Sequence, residues 1–131
     1  MCIRDRSRDP RNRWGVRWNQ EVIDRFERQK SSPAPTFEIE LHVLRLGDVA
    51  IATNPFELFT DFGIQIKARS RALQTFLIQL AGPDATYVPT DRAERGGGYS
   101  AIVQSSTVGS DGGQALVDQT VDAINALWPS R

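Results

Sequence analysis

At 131 residues, with sixteen basic and sixteen acidic side chains, the chain has a formal charge of zero. That is enough length for one modest core and too little net charge to recruit a polyanion. No apolar run approaches the roughly 20 residues that cross a bilayer, so no transmembrane segment is expected, and the single Cys2 excludes an internal disulfide.

The charge balance hides an asymmetry, because the first thirty residues are rich in arginine and net basic while the remainder is net acidic. A basic arm suits nucleic acid. No stacking platform, zinc-finger spacing or recognition-helix pattern accompanies it, so no nucleic-acid partner is expected. The opening Met1-Cys2-Ile3-Arg4-Asp5-Arg6 resembles the spurious leader of truncated gene models. Residues 1–13 are therefore read as a disordered leader and 14–131 as the folded part.

Trp18, Val22, Ile23 and Phe26 recur at helical spacing among charged residues, which predicts an amphipathic helix from Trp18 to Lys30 lying on a core, with Trp14 extending its face. Ser31 to Thr36 then forms a short linker. Phe37, Ile39, Leu41 and Val43 alternate with Glu38, Glu40, His42 and Leu44, the period of a half-buried strand. Gly47-Asp48 marks a turn. The apolar run Val49 to Thr53 suits a second strand covered on both sides.

Asn54-Pro55 has the chemistry of a helix start, with Asn as cap and Pro at the first helical position. Glu57 falls three residues on, as in a capping box. It also stands where a strand feeds a helix, the usual place for ligands in α/β proteins. Phe56, Phe59, Phe62, Gly63 and Ile66 would share one apolar arc of that helix, and Lys67, Arg69 and Arg71 complement its C-terminal end. Thr75 to Leu80 reads as a strand closed by the turn Ala81-Gly82-Pro83-Asp84. Tyr87-Val88-Pro89-Thr90 is too short and Pro-interrupted for a central strand.

Asp91 to Ser100, with three consecutive glycines and Tyr99, reads as a long charged loop of the kind that carries function. Its glycines lack the strand and helix context of a phosphate-binding fingerprint. Ser105-Ser106-Thr107 lacks a nucleophile elbow, and the lone His42 sits mid-strand, so a serine triad is not expected. Asp111-x-x-Gln114 reads as a capping box opening a last helix through Leu116, Val117, Val121, Ile124 and Trp128, stopped by Pro129. The element order is β-β-α-β-loop-α. It predicts an α/β fold, a partial mixed β-sheet with packed helices.

Three pieces occur in order: Pro55-Phe56-Glu57 followed by the apolar arc, Tyr87-x-Pro89-Thr90, and Gly97-Gly98-Tyr99. Together with Leu46 to Ala52, they resemble the closing third of the catalytic domain of the neutral/alkaline non-lysosomal ceramidases, zinc-dependent N-acylsphingosine amidohydrolases. The resemblance spans Val16 to Trp128 and departs from the family at Phe56, where better characterised members carry Gly. It implies that residues 14–131 are the C-terminal part of a larger α/β catalytic domain whose N-terminal part is missing. It also implies that Glu57 and Tyr99 are zinc ligands, with Tyr99 also polarising the substrate carbonyl, and that the remaining ligands are histidines on the missing part. The intact parent would cleave the acyl amide of ceramide or a related lipid in an extracytoplasmic setting, and the chain alone would be silent. The competing reading is a non-catalytic structural or interaction domain, with Glu57 only a cap and Tyr99 only a loop residue.

Overall fold

A computed structural model describes residues 13–32, 36–83 and 86–129, which fall into two units, Met1–Thr36 and Phe37–Arg131. The expected leader lies outside the described residues except for Arg13. In the first unit helix α1 runs over Arg13–Lys30, several residues earlier than the apolar spacing alone indicated. Arg17 pairs with Glu21 at 2.9 Å and Gln20 donates to Asp24 at 2.8 Å, i,i+4 contacts that support a solvated helical face. Ile23 and Phe26 are exposed.

The second unit is a small α/β domain with a mixed sheet packed against helices. Strand β1 (Val43–Leu46) pairs antiparallel with β2 (Val49–Thr53) through the two-residue turn Gly47-Asp48. Gly47 sits at φ 60°, a conformation without steric cost for glycine. β2 pairs in parallel with β4 (Gln74–Ile78), giving the order β1-β2-β4. The crossover between them carries a short β3 (Glu57–Leu58) and helix α2 (Thr60–Arg69). A separate parallel pair joins β3 to β5 (Tyr87–Val88). Helix α3 (Asp91–Gly96), a single 3-10 turn (Tyr99–Ala101) and the long helix α4 (Gly109–Asn125) complete the chain.

Period-two alternation in β1, β2 and β4 sends Val43, Ala50, Ala52, Thr75 and Leu77 to one face, where α2 and α4 close over them. Small Ala50 and Ala52 at the centre let the helices approach, and Phe62, Ile66, Leu116, Val117, Val121 and Ile124 fill the space between. Gly113 is the closest point. A Cβ there would stand 2.5 Å from Phe62 Cζ and 2.6 Å from Val88 Cγ1, so α4 crosses α2 and β5 at a distance only glycine permits. Arg69 to Asp118 at 2.6 Å ties α2 to α4, and Arg45 donates to the Leu127 carbonyl while lying 4.2 Å over the Trp128 ring.

Several expectations are corrected. The alternating segment before Val43 is not a strand: a two-residue turn fixes the hairpin register and β2 ends at Thr53, so pairing stops at His42, whose carbonyl accepts from Thr53 N at 2.9 Å. β2 is fully covered on one side only: Ala50 and Ala52 are buried, whereas Val49, Ile51 and Thr53 are half-buried. The helix expected from Pro55 begins at Thr60. Asp91 to Ser100 is mostly helical, because Thr90 caps α3 by accepting from Ala93 N at 3.3 Å and Asp91 pairs with Arg95 one turn on. α4 opens at Gly109 rather than on an Asp111 cap. Its first turn is held by Glu94, whose carboxylate accepts from Ser110 N at 2.8 Å and Ser110 Oγ at 2.7 Å.

Candidate functional site

The chain leaves the carboxyl end of β2 through Asn54, a 3% exposed residue whose Oδ1 accepts from the Phe56 amide at 3.0 Å. This local side-chain bond competes with helix formation and makes Asn54 a turn residue rather than a helix cap. Glu57 and Leu58 are then captured by a partner strand. Glu57 N donates to Thr86 O at 3.0 Å and Phe59 N to Val88 O at 3.1 Å. On its other edge, Leu58 N donates to the side-chain oxygen of Gln79, just past β4, at 2.5 Å. Phe56 beneath is buried and meets the Phe37 ring at 5.8 Å. Glu57 is therefore held by strand pairing.

The β3–β5 register sets Glu57 directly opposite Tyr87, so both side chains share one face. The Tyr87 pKa is held above the ordinary phenol value, first by hydrogen bonding to the Glu57 carboxylate and next by the negative charge of Glu57. Tyr99 opens the 3-10 turn and lies edge-on to Tyr87, with ring centroids 5.9 Å apart and planes at 74°. Gly98, at φ 119°, supplies the backbone bend that brings Tyr99 there. Tyr99 is 68% exposed and Tyr87 half-buried, so the group opens to solvent.

The two residues marked in the sequence, Glu57 and Tyr99, thus belong to one neighbourhood, joined through a third. Tyr87 is the member that sequence reading missed as a site residue. Its motif was visible, but a two-residue parallel pairing across thirty positions leaves no periodic signal. Gln79 was missed for the same reason. His42 contacts Glu40 at 3.4 Å, both well exposed. Ser106 Oγ accepts from Gly109 N at 3.1 Å, and Ser105 Oγ is buried without a partner.

The donor set suits zinc in kind, with a carboxylate and phenol oxygens, but falls short in number. Structural or catalytic zinc takes three or four protein ligands, usually with imidazole among them. Among the described residues, no three His, Cys, Asp or Glu side chains lie close enough together to hold a metal ion. Comparison with protein-family models, curated proteins and solved structures finds no match to the chain. No helix among the described residues is long and apolar enough to cross a membrane.

Proposed function

We propose that this chain carries the carboxylate-and-tyrosine part of a zinc-dependent amidohydrolase site resembling that of the neutral ceramidases. The observation behind this reading is the pairing of Glu57 with Tyr87 on β3 and β5, with Tyr99 edge-on beside them. A carboxylate beside two phenols at the end of a parallel crossover is a ready source of hard oxygen donors. The intact parent would hydrolyse the N-acyl amide of ceramide or a related lipid to a fatty acid and a sphingoid base, in an extracytoplasmic setting.

In this reading Glu57 holds the metal and Tyr99, the more exposed phenol, donates to the substrate carbonyl. Tyr87 positions the carboxylate by hydrogen-bonding it. Bound zinc would supply a water acidified toward neutrality. With no imidazole in the group, the remaining ligands come from polypeptide beyond this chain, and the chain alone is catalytically silent. Phe56, where the family carries Gly, is buried under the strand against Phe37. Its bulk is thus absorbed by the core.

The test is to extend the open frame upstream of residue 14, express the longer protein and assay a ceramide analogue with zinc. Hydrolysis abolished by Glu57→Ala is the expected result. Absence of amide hydrolysis across a substrate panel would discard the enzyme reading. The second reading, a non-catalytic interaction domain, draws support from the incomplete donor set. It predicts a cooperative fold indifferent to zinc and chelators.

A further inference from the structure

The side of the sheet that α2 and α4 do not cover is apolar. Register aligns Leu44 with Ile51 and Phe76, Leu46 with Val49, and Thr53 with Ile78, all projecting to this outer face. Leu44, Leu46, Phe76 and Ile78 are each about half exposed. With half-buried Val49 and Ile51 they leave roughly 500 Å² of continuous apolar surface, at the upper end of what monomers leave open. Thr53 and Gln74 are the only polar strand residues on it, and none is charged.

We infer that this outer face is a self-association surface, occupied by the same face of a second copy in an isologous sheet-on-sheet dimer. Three observations select that occupant. Without Lys or Arg among its strand residues, the face offers no attraction for anionic lipid or nucleic acid. The strand residues of the face carry no charge, so a twofold copy brings no like charges into contact across them. The face is a regular, pleated three-stranded surface, which packs against a like surface about 10 Å away with interdigitated side chains. Covering it on both copies removes roughly 1,000 Å² in total, the threshold of a specific interface, so the dimer is weak.

Sedimentation velocity of the full chain from about 5 to 500 μM tests this. The expected result is a reversible monomer–dimer equilibrium. Phe76→Lys and, independently, Leu44→Lys should raise the dissociation constant at least tenfold while keeping the wild-type circular dichroism. Phe26→Lys, on an exposed apolar residue of α1, should leave it unchanged. Hydrogen exchange on the unmodified chain, compared at low and high concentration, needs no variant to fold and should show added protection confined to residues 43–53 and 74–78. A chain monomeric throughout, a dimer that survives both lysine substitutions, or concentration-dependent protection elsewhere would overturn the proposal.

Discussion

The two faces of the three-stranded sheet come from the same short strands and meet opposite fates. The inner face carries small side chains at its centre, Ala50 and Ala52, and is sealed by two helices. The outer face carries larger ones, Leu44, Leu46, Ile51, Phe76 and Ile78, and is open. Hydrophobicity alone does not decide which side becomes the core. The inner residues are small enough for helices to close over them, and the helices have glycine and aromatic residues shaped to do so. The outer residues have the bulk to interdigitate with another surface.

The contrast is sharpened first by Ile66→Ala. Ile66 is 1% exposed between the sheet and α4, so truncation should cost about 2–5 kcal/mol of unfolding free energy in a denaturant titration. A cost near zero would mean the inner face is not the core. Gly113→Ala comes next. Its new methyl would meet Phe62 and Val88 about an ångström inside ordinary contact, and the strain should cost about 1–3 kcal/mol. Because Val88 adjoins Tyr87, the same variant should also disturb the tyrosine titration.

The Arg69–Asp118 pair clips the sealed side at its rim. The guanidinium beside Asp118 holds its carboxyl below the ordinary carboxylate range. A depressed folded pKa contributes stability above the unfolded pKa, and that contribution is lost as pH falls through the folded value. Asp118→Asn should therefore lower thermal stability slightly at neutral pH and converge with the parent in acid. Equal loss at both ends would deny the pair its role. The smallest effect belongs to the outer face, where Phe76→Lys, measured on dilute monomer, should shift unfolding free energy by no more than about 0.5 kcal/mol.

Much of this fold was legible in the sequence. Val49 to Thr53, the turn at Gly47-Asp48 and the last helix all follow from local pattern and turn chemistry, and so does the α/β class. Two misreadings have different causes. Asn54-Pro55 has the chemistry of a helix start, yet the Asn54 side chain closes a turn onto Phe56, and a distant strand then takes Glu57 and Leu58. The Gly-rich stretch before Tyr99 concealed α3, whose stability comes from a cap and an ion pair rather than an apolar stripe. Glu57 and Tyr99 could be marked as candidate residues through motif order. Tyr87, which joins them, could not, because the contact is tertiary.

The grouping of these three residues is the central claim, and the chain is well suited to test it because Tyr87 and Tyr99 are its only tyrosines. The decisive measurement is the alkaline titration of tyrosinate absorbance in the parent chain and in Glu57→Gln, with Tyr87→Phe to assign the remaining transition. The carboxylate keeps the proton on Tyr87, so the parent should show one phenol ionising above the ordinary value. The bond's contribution to stability should be complete below that value and lost as pH rises through the folded one. In Glu57→Gln the raised transition should fall back toward the ordinary phenol range. Superimposable curves for the parent and Glu57→Gln would show that Glu57 and Tyr87 do not meet, and the proposed site would go with them.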